Sequence, residues 1–86
     1  MTPYHDALSK CAVRYMFMNY ETGAAQSEPL SKFIKEFAQG CFDGLPVPKL
    51  CRWLGYIQGV LIERGLTTVQ EERDWTRPLF RPLDFA

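Results

Sequence analysis

Eighty-six residues make one small domain, because chains divide into separate cores only well beyond that length. Ten Lys and Arg against ten Asp and Glu leave no net charge to gather DNA or an anionic membrane, which argues against a purely electrostatic nucleic-acid binder. A 47% hydrophobic share with two Trp, four Tyr and six Phe is too apolar for disorder, yet no apolar run approaches the roughly 20 residues of a membrane span.

The first element opens with Thr2 as N-cap and Pro3 at the first helical position. Tyr4, Ala7, Leu8, Cys11, Ala12 and Tyr15 then fall at helical spacing and predict an amphipathic helix. From Val13 onward the polar side disappears: Val13, Met16, Phe17 and Tyr20 lie off the first stripe, while Met18 continues it. This half of the helix needs two covers. The β-branched and aromatic content of residues 12–20 makes a strand the competing reading. Glu21, Thr22 and Gly23 stop the element, and residues 24–27 form a loop.

Ser27 can cap a second helix, with Glu28 and Pro29 in its first turn. Leu30, Phe33, Ile34, Phe37, Ala38 and Cys41 form its apolar face, and Lys32, Lys35, Glu36 and Gln39 a solvated one. Gly40 or Gly44 ends this helix, and Leu45-Pro46-Val47-Pro48 reads as an extended connector.

A third helix is predicted from Lys49 to Arg64, closed by Gly65. Leu50, Leu54, Ile57 and Leu61 make its central stripe, widened by Trp53 and Val60 on one side and Cys51 and Ile62 on the other. The apolar arc is roughly 200°, which implies contact with several helices. Cys51, Gly55 and Gly59 stand four apart, a spacing that lets another backbone come close.

Thr68 to Glu71 matches a capping box and opens a short fourth helix running to about Trp75, with Pro78 ending it. The repeated Arg77-Pro78-Leu79 and Arg81-Pro82-Leu83 reads as an extended tail that docks on the body or on a neighbouring chain. The expected fold is therefore all-α, a small bundle of three main helices and a short fourth over residues 1–76, followed by an extended tail at 77–86. Leu8, Phe33, Ile34, Phe37, Leu54, Ile57 and Leu61 are the expected core.

Little in the chain looks catalytic. His5 is the one histidine, and its i+4 neighbour Ser9 has no recognisable orienting acid or oxyanion donors beside it. Phosphate-binding glycine motifs and H-E-x-x-H are absent. Cys11, Cys41 and Cys51 are odd in number, share no C-x-x-C spacing and fall on apolar helical faces, so they read as reduced thiols with no disulfide, metal or cofactor role. The N-terminal stretch shows no basic segment followed by an apolar one, which makes cytoplasmic the expected location.

Polar residues in odd places carry the functional reading. Gln58 falls inside the apolar arc, between Leu54 and Ile62, and must be hydrogen-bonded either within the core or in a ligand or subunit cleft. Arg14, at the edge of the first stripe, reads as a snorkelling surface arginine. Arg52 with Trp53, Arg73 with Trp75, and Arg77 with Arg81 combine guanidinium groups with aromatics, which can clamp phosphate while stacking a base. Interleaved Glu63, Glu71, Glu72, Asp74 and Asp84 offer them ordinary ion pairs instead. The candidate ligand-binding set is Arg52, Trp53, Tyr56, Gln58, Trp75, Arg77 and Arg81.

Arg52-Trp53-Leu54-Gly55-Tyr56-Ile57-Gln58-Gly59-Val60-Leu61, followed by Thr67-Thr68-Val69 and Glu71-Glu72-Arg73, resembles small accessory proteins of tailed bacteriophages, in which an R-W-L-G-aromatic-x-Q-G helix precedes a Thr-capped acidic helix. The likeness covers Arg52 to about Arg77. It implies a phage protein acting in the host cytoplasm against host defence, by sequestering a small nucleotide-derived signal at an inter-subunit cleft or by blocking a host protein. The second apolar face of the first helix and the apolar tail point to a homo-oligomer. A DNA-binding helix-turn-helix from helices 2 and 3 is the weaker alternative, given the Pro-rich connector and an apolar third helix.

Overall fold

Four helices account for nearly all of the residues that the computed structural model describes, 2–20 and 29–84. They are α1 (Pro3–Tyr20), α2 (Pro29–Asp43), α3 (Val47–Glu63) and α4 (Val69–Asp84). Residues 12–20 are helical, so the strand reading falls: Leu8, Cys11, Ala12, Tyr15 and Asn19 are buried along one face at i+3 and i+4 spacing, and that burial outweighs local β propensity. The stop at 21–23, the loop at 24–27 and the Ser27 cap lie outside the described residues.

Thr2 caps α1 through its hydroxyl, 3.4 Å from the His5 amide. The helix packs against all three others, most extensively against α2. The two run antiparallel, since Asn19 Nδ2 donates to Ser31 Oγ at one end (2.8 Å) and His5 Nε2 meets the Leu45 carbonyl at the other (2.7 Å). The core between α1, α2 and α3 is built from Leu8, Tyr15, Ile34, Phe37, Ile57 and Leu61, among others. Phe33, expected in this core, is only half-buried and packs at its margin against Trp53 and Tyr56.

The connector between α2 and α3 is shorter than expected, residues 44–46. Helix α2 continues through Gly40 because Leu45 and Leu50 fold over its bare Cα; a Cβ there would lie 2.8 Å from Leu45 Cδ1. Gly44 ends it at φ 73, where the Gly44 amide donates to Cys41 and the Leu45 amide to Gly40. Gly65 repeats the same closure after α3, donating to Ile62 while Leu66 donates to Leu61.

The fourth helix is not short, and residues 77–84 are not an extended tail. At 16 residues α4 exceeds α2, and it carries Pro78 and Pro82 in its interior. Both prolines are exposed and stand four apart, so the carbonyls of Asp74 and Pro78 that lose their helical partners face water. On the inner side Trp75, Leu79 and Phe80 pack on the core, Phe80 stacks on Tyr4 at 6.4 Å, and the Tyr4 hydroxyl donates to Asp84. Docking against α1 decides the conformation against the local cost of proline.

A candidate interaction groove and a buried polar cluster

Capping of α4 determines where its first turn points. The Thr68 hydroxyl accepts from the Glu71 amide at 3.1 Å, and the next residue, Glu72, turns inward and is 4% exposed. Its carboxylate accepts from Arg14 Nη2 at 3.0 Å, from Thr67 Oγ1 at 2.6 Å and from the Tyr15 hydroxyl. Gln58 Nε2 donates to that same hydroxyl at 2.9 Å. Burial pushes the Glu72 carboxyl up, but the bonds from Arg14, Thr67 and Tyr15 and the Arg14 charge together hold it below the usual carboxylate value. Burial, and then the bond to Glu72, push the Tyr15 hydroxyl well above the usual phenol value.

One sequence expectation changes here and another is resolved. Arg14 is not a snorkelling surface arginine: it forms an ion pair with Glu72, and its guanidinium lies 4.7 Å from the centre of the Trp75 ring. Gln58 has its core partner in Tyr15, the first of the two readings that its position left open. By sequence Glu72 reads only as one of the acids interleaved with the C-terminal arginines, not as a buried group. A signal was present, since Glu72, Trp75, Thr76 and Leu79 share i, i+3, i+4, i+7 spacing, which puts the carboxylate on the helix's inward stripe.

The seven candidate ligand residues occupy three places within one chain. On α3, Arg52 and Tyr56 are exposed and Trp53 half-buried; Phe33 contacts the Trp53 and Tyr56 rings at 5.5 and 5.1 Å, and Lys49 Nζ sits 5.2 Å over Trp53. Gln58 and Trp75 belong to the buried cluster around Glu72. Arg77 and Arg81 are exposed on α4, flanking Pro78 and Pro82 over a shallow depression of about 550 Å³.

The remaining chemistry-bearing groups have structural surroundings. The Nδ1 of His5 faces the Thr2 hydroxyl at 2.9 Å while Nε2 meets the Leu45 carbonyl, so the ring holds its proton on Nε2 and ties α1 to the end of α2. Cys11 and Cys41 are buried, with the Cys11 thiol pushed up to about 12 by burial and by nearby Glu72. Cys51, expected on an apolar face, is exposed. Gly55 and Gly59 have nothing within 4 Å of where a Cβ would stand, so the described residues bring no second backbone against this stripe. Among the described residues no three His, Cys, Asp or Glu side chains are grouped to hold a metal ion.

Among the described residues the second apolar face of α1 stays open. Val13, Met16, Phe17 and Tyr20 are exposed, Phe17 by 65% and Tyr20 by 63%, and the described residues give them no cover. They form one wall of a groove of about 690 Å³ whose other wall is Ser31, Ile34 and Lys35 of α2, with Asn19 and Ser31 bonded to each other on its lining. Further along α2, Phe42 is 74% exposed. A scan against protein-family models, a search of curated proteins and a search of solved structures each find no match to this chain.

Proposed function

We propose that this chain is a non-catalytic protein-interaction module that works through the groove between α1 and α2. The carrying observation is the row Val13, Met16, Phe17, Tyr20: four large apolar side chains in a line, left exposed in a chain otherwise able to bury a core. A helical face that is apolar on both sides belongs against a second surface. In the setting that the Arg52–Arg77 resemblance implies, a module assembled through this groove acts on a host protein. The test is photo-cross-linking in cells with p-benzoylphenylalanine in place of Phe17 and, as a control, in place of exposed Glu63 on α3. Protein adducts specific to the Phe17 position are expected; equal yields at both positions, or none at Phe17, overturn the reading.

A second reading, sequestration of a small nucleotide-derived anion, rests on α3, where Lys49 stands over Trp53 beside exposed Arg52 and Tyr56. Cations next to accessible rings suit a phosphate and a stacked base. Calorimetry with cyclic and linear nucleotides checks it, and heat that disappears in both Arg52→Ala and Trp53→Ala is the expected result.

A further inference from the structure

The partner of this groove can be named from its geometry, and the naming rests on the interaction reading above. We infer that the occupant is a second copy of the same chain, related by a two-fold axis that passes beside Val13. Four of the exposed large apolar residues, Val13, Met16, Phe17 and Tyr20, line the α1–α2 groove, and a fifth, Phe42, is exposed further along α2. Phe42 follows groove-lining Lys35 by seven residues, so it stands on the same edge of α2 about 10 Å further on. The antiparallel register, with Ser31 beside Asn19 and Leu45 beside His5, sets Phe42 level with Leu8. A two-fold axis midway between that level and Tyr20 carries Tyr20 of one copy onto Phe42 of the other and gathers Val13, Met16 and Phe17 around the axis. A ridge and its receptor on one surface are the requirement for a self-complementary interface.

Area and charge agree with this occupant. Given their exposures, Phe17, Tyr20 and Phe42 alone offer on the order of 400 Å² of ring surface per copy. A standard interface buries roughly 800 Å² per partner, a little over half of it apolar, so these residues supply the apolar part of one such interface. The net charge of zero sets up no overall repulsion between two copies.

The sequence that links α1 to α2 is made of small and polar residues. Residues 21–28 read Glu-Thr-Gly-Ala-Ala-Gln-Ser-Glu, with no large apolar side chain among them.

The test is sedimentation of the full chain alongside Phe17→Glu and Phe42→Glu, with circular dichroism as the folding control. A concentration-dependent dimer is expected for the parent chain and a monomer of unchanged helicity for each variant. Independently, in a Cys51→Ser background, Tyr20→Cys mixed with Phe42→Cys should form a mixed disulfide at least about tenfold faster than Tyr20→Cys mixed with Glu63→Cys. That comparison decides the matter if a glutamate variant fails to fold. A parent chain that stays monomeric up to its solubility limit overturns the dimer, and so does a dimer indifferent to both substitutions. If the chain is monomeric but the Phe17 photo-cross-linker captures a different protein in cells, the dimer fails and the groove reading stands; with no capture either, both fail.

Discussion

The buried hydroxyl of Tyr15 donates to the carboxylate of Glu72, joining the middle of α1 to the first turn of α4 across 57 residues of chain. Because Gln58 donates to the same hydroxyl, one phenol oxygen links three helices. Arg14, next to Tyr15 in sequence, supplies the charge that makes a buried carboxylate tolerable.

Removing that carboxylate leaves the Arg14 guanidinium half-buried without its partner. Glu72→Ala is expected to cost roughly 3–5 kcal/mol, the usual penalty for breaking a buried pair from one side. Urea denaturation of the two proteins at neutral pH measures it, and a loss no larger than that of an exposed ion pair would show that the cluster does not hold α4.

The same carboxylate sets an acid limb. Its folded-state value lies below the ordinary one, so its stabilisation is complete above the unfolded value and is lost as pH falls through the folded one. Urea midpoints taken downward from about pH 5 should fall more steeply for the parent chain than for Glu72→Gln. Parallel curves would assign the acid sensitivity to other carboxylates.

Tyr15→Phe and Gln58→Leu should rank unequally. The first strips a donor from Glu72 and an acceptor from Gln58 and is expected to cost roughly 1–3 kcal/mol; the second removes one donor from a hydroxyl that still reaches Glu72, for about 1 kcal/mol or less. Thermal melts give the order. A Gln58→Leu loss exceeding that of Tyr15→Phe would mean that the amide has a further essential partner.

The glycines of α2 and α3 should respond in opposite directions. Gly55→Ala and Gly59→Ala meet open space and should each stabilise by about 0.5–1 kcal/mol, the helical preference for alanine. Gly40→Ala places a methyl 2.8 Å from Leu45 Cδ1 and 3.1 Å from Leu50 Cδ2, and overpacking of roughly 1–3 kcal/mol outweighs that gain. Melting temperatures of the three variants should therefore move up, up and down.

Pro78→Ala restores an amide that can donate to the Asp74 carbonyl in α4. A melting temperature above that of the parent chain is expected, because interior proline costs roughly 3 kcal/mol in a helix while its stiffening of the unfolded chain returns at most about 1. A lower melting temperature would show that Pro78 itself is needed to seat Leu79 and Phe80.

Periodicity by itself determined that the chain is helical, and Leu8, Ile34, Phe37, Leu54, Ile57 and Leu61 were legible as core because burial of a helix face repeats every three to four residues. The caps at Thr2 and Thr68 and the stop at Gly65 were legible for the same local reason: each satisfies backbone groups a few residues away. The double apolar face of α1 was visible too, though not what lies against it. Only the tertiary structure decided the course of residues 77–84, where packing of Trp75, Leu79 and Phe80 on the core overrides two prolines that read locally as a stop. It alone gathered Arg14, Tyr15, Gln58 and Glu72, residues up to 58 positions apart whose meeting depends on how three helices are set against one another. Local rules act over a turn or two of chain, whereas the partner of a buried charge is chosen by whichever element the fold brings to it, and that choice separated the Gln58 amide and the Trp75 ring from the exposed arginines beside which the sequence had grouped them.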